Sequence, residues 1–139
     1  MKSAELENLA KIGKLKREPP SARELEGLLK SAQARLADAS RAELSFHSRF
    51  DLAYNAGHAL ALYALRRLGY RSDNRYLVFQ TLQLTAGLPP EAWRVLAKAH
   101  ERRNLAEYEG ILECDEKLVA ELAATTARLR AIVEAFPAT

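Results

Sequence analysis

Apolar residues recur at intervals of three and four along most of this chain and almost nowhere in strict alternation, a period that predicts helices and no strands. Between Ala4 and Lys16, Leu6, Leu9 and Ile12 share one side, ahead of Pro19-Pro20, which cannot continue a helix. Residues 1–18 are therefore expected to form an N-terminal amphipathic helical arm, packed on the body or on a partner, since a helix this short is marginal alone. Ser21 followed by Glu24 reads as a capping box, and the helix behind it runs to about Glu43 with a stripe of Leu25, Leu28, Leu29, Ala32, Leu36 and Ala39. The next helix, about Ser45 to Leu68, is apolar around most of its circumference over AGHALALYAL and ends at Gly69. Such a helix belongs at the centre of a bundle. A shorter helix follows from Asn74 to Ala86, capped by Ser72 or Asp73 and stopped by Gly87. Pro89-Pro90 opens another, to about Tyr108. Asp115 caps the last, whose seam is Leu118, Leu122, Thr125, Leu129, Ile132 and Phe136. Short connections between long helices imply antiparallel neighbours. The expected fold is all-α: an up-down antiparallel bundle of four to five helices in one domain over 21–136, plus the arm.

Composition changes this picture little. With 139 residues the chain suits one domain, and 48% hydrophobic with 28% charged residues is ordinary for a globular protein. The net charge of +3 and pI near 9.1 permit phosphate binding without requiring it. A single cysteine, Cys114, excludes an internal disulfide and suits a reducing cytoplasm. The first twenty residues are charged throughout, unlike a signal peptide. The stretch Ala56 to Leu65 is too short to span a bilayer. A cytoplasmic protein with no membrane partner is expected.

Two lines of polar residues interrupt the apolar seam. At 100° per residue, the inward arc of Trp93, Leu96 and Ala97 continues through His100, Asn104, Glu107 and Tyr108, with Arg103 on its border and Arg102 facing away. On the central helix Asp51, Asn55 and His58 stand at i, i+4, i+7, with Arg49 and Tyr54 nearby on other faces. A buried carboxylate needs a cation, so the two lines are expected to meet: Asp51 with Arg103, and Asn55 or His58 with Asn104 or Tyr108. The plainer reading is a polar network that fixes the register of the bundle, with His58 a satisfied core histidine and Tyr54, Tyr63 and Tyr76 core aromatics whose hydroxyls reach the rim. His47, His58 and His100 lack ligand spacing, so neither a metal nor a cofactor is expected. No glycine-rich phosphate loop, nucleophile elbow or HExxH motif is present.

The segment RRNLAEYEG, Arg102 to Gly110, resembles the HEPN superfamily, whose motif is an Arg, usually a polar residue such as Asn, and a His four to six residues after the Arg. Arg103 and Asn104 match its first two positions, and Tyr108 stands near where the His would, giving Arg-Asn-x3-Tyr. The stretch RFDLAYNAGHALALYALRRLG, Arg49 to Gly69, followed by NRY, is similar to the central part of bacterial members. The resemblance covers about Leu25 to Ile111. It implies a dimerising helical bundle, often a metal-independent endoribonuclease and toxin paired with a nucleotidyltransferase antitoxin. In that chemistry a 2′-hydroxyl attacks the adjacent phosphate, Arg stabilises charge, His moves a proton and Asn orients the groups. Tyr, with an ordinary pKa of about 10, accepts protons poorly near neutrality. His100, one turn before Arg103, and His58 are the alternative proton carriers.

Three functions follow as expectations. One is an endoribonuclease using Arg103, Asn104, and Tyr108 or His100. Another is an RNA- or nucleotide-binding module in which Asp51, Asn55, His58 and Arg49 line the same cleft. The third is an inactive homodimerisation or interaction module, for example one that engages a nucleotidyltransferase.

Overall fold

The long helices of this protein mostly begin at a side chain that satisfies their own first turn. In a computed structural model, which describes residues 3–137, the Ser3 hydroxyl accepts from the Leu6 amide to start α1 (Ala4–Lys11). Ser21 starts α2 (Ala22–Ala39), Ser45 starts α3 (Phe46–Arg66), and Asp115 starts α7 (Glu116–Glu134). Asn74 caps the short α4 (Arg75–Gln80), which is followed by α5 (Leu82–Thr85). Pro90 opens α6 (Pro90–Glu109) at its first position. The helices pack antiparallel as an all-α bundle.

Several boundaries differ from the sequence expectation, each for a local reason. Helix α1 stops at Lys11, short of Lys16, because Gly13 turns the chain at φ +81°. Helix α2 stops at Ala39, where the Ser40 hydroxyl donates to the Ala37 carbonyl at 2.7 Å. The single helix expected over 74–86 breaks at Thr81, whose hydroxyl donates to the Val78 carbonyl at 2.7 Å and so competes with the backbone ladder. Two-residue strands, β1 (Lys16–Arg17) and β2 (Tyr70–Arg71), pair antiparallel where the pattern predicts no strand; two residues carry no readable alternation.

Helix α3 is central, packed against α2, α7, α6 and α4. It brings Phe50, Ala53, Tyr54, Ala56, Ala59, Leu60, Ala61, Ala64 and Leu65 into the core. Gly57 permits the closest crossing: a Cβ there would lie 2.8 Å from Leu96 Cδ2 and 3.1 Å from Thr126 Oγ1. Helix α7 is rotated slightly from the expected seam. Val119, Thr126 and Val133 are buried with Leu118, Leu122 and Leu129, while Thr125, Ile132 and Phe136 lie at the border. Thr126 Oγ1 donates to the Ala53 carbonyl at 3.4 Å, which lets a hydroxyl occupy the seam. Tyr54 is a core aromatic as expected, Tyr63 is half-buried and stacked on Phe136, and Tyr76 stands exposed with its ring edge-on to Trp93.

The arm rests on the body. Leu6, Ala10 and Leu15 belong to the same buried cluster as the α3 residues. Its anchor is Arg66, at the end of α3 and only 1% exposed. Arg66 donates to the carbonyls of Glu18 (2.8 Å), Pro19 (3.1 Å) and Tyr70 (3.2 Å) and to Glu24 Oε1 (3.1 Å). Glu24 therefore does not complete the expected capping box; its carboxylate bridges Arg66 and Arg71 instead.

Among the described residues no helix is long and apolar enough to cross a membrane.

Candidate functional site

Asp51 and Asn55 lie one turn apart on α3. The Asn55 Nδ2 donates to the Asp51 carbonyl at 2.9 Å, which leaves its Oδ1 facing Arg75 Nη1 at 3.5 Å. Between them Tyr54 points inward and is fully buried, stacked near-parallel with Phe50 and edge-on to Phe79. Its hydroxyl is the hub of the cluster, 2.9 Å from His100 Nδ1 on α6 and 3.4 Å from Arg75 Nη1 on α4. On its other side His100 Nε2 lies 3.2 Å from the Asn104 side-chain amide. Arg103, next on the same face of α6, reaches Asp51 Oδ1 with Nε at 3.4 Å and Glu107 with Nη1 at 3.6 Å. Both guanidiniums approach the Tyr54 ring, Arg103 at 5.3 Å and Arg75 at 5.6 Å from its centroid, within cation–π range.

The electrostatics follow from this crowding. Burial, helped by the positive charges of Arg75 and His100, pushes the His58 pKa down to about 4. The ring sits edge-on to Phe79 at 5.9 Å. His100 is also lowered, first by burial, then by Arg75 and Arg103, against smaller opposing effects of Glu101 and Glu107. Both shifts favour the neutral imidazole. Arg103 has two carboxylate neighbours, whereas Arg75 makes no ion pair among the described residues and meets only the neutral oxygens of Tyr54 and Asn55. Arg75 is itself half-buried.

Of the residues singled out from sequence, the fold brings together Asp51, Asn55, His100, Arg103 and Asn104, with His58 behind them against Phe79. The pairings of Asn55 or His58 with Asn104 or Tyr108 are not formed; Asn104 bonds His100 instead. Arg49 lies elsewhere, its Nε donating to the Ala39 carbonyl at the end of α2. The core-side placement of Asn104, Glu107 and Tyr108 is overturned: all three are exposed, Tyr108 at 91%. Helical azimuth says which way a side chain points but not where the neighbouring helices stop, and no residue of α6 beyond Ala99 is buried. Arg102, expected in open solvent, is half-buried beside Glu113.

Sequence reasoning missed Arg75. A signal was present in Asn74-Arg75-Tyr76: once Asn74 is a cap, Arg75 occupies the first helical position, where a cation opposes the helix dipole. A residue placed against local preference invites a functional explanation.

Among the described residues no three of His, Cys, Asp or Glu are placed to share a metal ion. Comparison with protein-family models, with curated proteins and with solved structures found no match to this chain.

Proposed function

We propose that this chain is an HEPN-like domain that binds RNA or a nucleotide by a phosphate group, held by Arg75 and Arg103 where α3, α4 and α6 meet around Tyr54. The observation that carries this reading is Arg75, a half-buried guanidinium with no carboxylate partner among the described residues, 5.6 Å from the ring over which Arg103 also sits. A phosphate supplies the missing negative charge and accepts the fork of donors that two arginines present. His100 and Asn104 stand beside Arg103 on α6 and add neutral hydrogen-bonding groups. The mildly basic net charge favours a polyanionic ligand further.

The test is fluorescence anisotropy of a labelled single-stranded RNA in EDTA, with the same sample run on a gel. Charge-assisted hydrogen bonds are worth about 1.5–3 kcal/mol, so Arg75→Gln and Arg103→Gln should each weaken binding about tenfold or more while the thermal midpoint holds. Unchanged affinity in both variants refutes the reading. RNA cleavage in EDTA that His100→Gln abolishes would extend it to the endoribonuclease activity of the resemblance.

A second reading, a dimerisation or interaction module that would engage another copy or a nucleotidyltransferase, is favoured by Leu105, Tyr108 and Ile111, exposed at 48%, 91% and 66% around the end of α6. Sedimentation of wild type against a Leu105→Lys/Ile111→Lys double variant tests it: a monomeric wild type rules out self-association.

A further inference from the structure

We infer that Tyr54 is a positioning residue that fixes His100 in the Nε2–H tautomer, so that the imidazole meets its ligand as a hydrogen-bond donor and not as a base. The consequence for ligand binding rests on the phosphate reading above; the tautomer itself does not.

The inference follows from counting protons at one buried oxygen. A phenol has one hydrogen to give and lone pairs to receive. A guanidinium N–H can only donate, so the 3.4 Å contact from Arg75 Nη1 takes a lone pair of the Tyr54 oxygen. Tyr54 is fully buried, so water is not at hand for its O–H, and a buried O–H without an acceptor is costly. Among the hydrogen bonds of the described residues, the acceptor open to it is His100 Nδ1 at 2.9 Å. Nδ1 must then carry no proton, and in a neutral imidazole the proton resides on Nε2. The second contact is met with one adjustment. Asn104 presents Nδ2 to Nε2 at 3.2 Å, and the inferred tautomer requires this amide turned by half, which places Oδ1 there as acceptor and the NH2 group outward.

Charge supports the same state. Arg75 and Arg103 both disfavour an imidazolium at His100. The ring also stands near-parallel to Tyr54 and edge-on to Phe79, at 6.2 and 6.3 Å between centroids. Asn104 is exposed, so a ligand oxygen can displace it from Nε2. That oxygen then meets Nε2–H and the Asn104 amide, both donors. Phosphate oxygens, which only accept, are the chemical class that fits. A ligand hydroxyl seeking a base at this ring finds none, so the arrangement opposes activation of a 2′-hydroxyl by His100.

The experiment is long-range nitrogen–proton correlation NMR on the full chain at pH 7, with His100 assigned by the signal missing in His100→Gln. The expected spectrum has a pyridine-like Nδ1 and a pyrrole-like Nε2, and inorganic phosphate should move Nε2 and its proton. Tyr54→Phe should redistribute the His100 tautomers and weaken phosphate binding about three- to tenfold, the loss of one neutral hydrogen bond in the support of the ring. A pyrrole-like Nδ1, or a cationic ring, in the wild type overturns the inference even if Tyr54→Phe fails to fold. The expected tautomer with no response to phosphate would keep Tyr54 in its role and remove the phosphate reading.

Discussion

Replacing Arg66 with alanine should be the most damaging single change in the part of the molecule that holds the arm. The side chain is 1% exposed and gives hydrogen bonds to three backbone carbonyls, those of Glu18, Pro19 and Tyr70, and to the Glu24 carboxylate. The substitution strands those carbonyls and opens a void as large as the lost guanidinium and its stem. Glu24 retains Arg71, and the Glu18 carboxylate is half exposed, so neither adds much. A buried carbonyl left without its donor costs about 1–3 kcal/mol, and water that enters beside Glu18 offsets part of this. We expect a loss of about 4 kcal/mol, a large share of the roughly 5–15 kcal/mol typical of a domain. Urea unfolding followed by far-ultraviolet circular dichroism measures it as a shift in midpoint at constant slope. Arg66→Lys, which can satisfy fewer of the acceptors, should fall between wild type and alanine. A loss below about 1 kcal/mol for Arg66→Ala would show that the arm is not held by this residue.

Other outcomes follow from the same geometry. Gly57→Ala gains helix propensity of about 1 kcal/mol, but its Cβ meets Leu96 and Thr126 at 2.8 and 3.1 Å. Overpacking of that kind costs about 1–3 kcal/mol, so a net loss in thermal midpoint is expected and a gain would contradict the close crossing. Protonating Glu24 should weaken the fold: the hydrogen bond from Arg66, with the charges of Arg66 and Arg71, holds its carboxyl below the usual value despite burial. Stability that is full above the unfolded value near 4.5 is then lost as pH falls through the lower folded value, and Glu24→Gln should flatten that acid limb in pH-dependent urea melts. His58 acts at higher pH. Its folded pKa of about 4 against an ordinary 6.5 means that the unfolded chain takes up the proton first. Stability should decline as pH drops from 6.5 toward 4, by up to about 3 kcal/mol, and His58→Leu should remove the decline.

Much of the fold was legible because it depends on periodicity and punctuation. The all-round apolar run from Ala56 to Leu65 marked the central helix, and Ser21, Ser45 and Asp115 marked helix starts that the structure repeats. Asp51 and Arg103 do meet, but not for the reason the pattern suggests: Asp51 is exposed, not a buried carboxylate in need of a cation. What stayed hidden depends on partners distant in sequence. Arg66 reads as one more basic residue at a helix end until the loop at Glu18 and Pro19 folds over it. Tyr54 reads as a core aromatic until His100 and Arg75 arrive at its hydroxyl from two other helices. Tyr108 stands near the position where the resemblance implies a His, yet α6 carries it beyond the end of the core. Spacing along one helix could not reveal that. Arg75 was hidden for a third reason: among the described residues no carboxylate pairs with it, which only the packed neighbours disclose.

The account depends most on Arg75 and Arg103 together receiving a phosphate. The direct measurement is the salt dependence of single-stranded RNA binding by wild type, Arg75→Gln and Arg103→Gln. Each arginine that contacts a phosphate should contribute about 0.7 to the slope of log affinity against log salt, so each variant should bind more weakly and with a correspondingly shallower slope. Variants that match wild type in both affinity and slope would place the RNA elsewhere, or nowhere, on this protein.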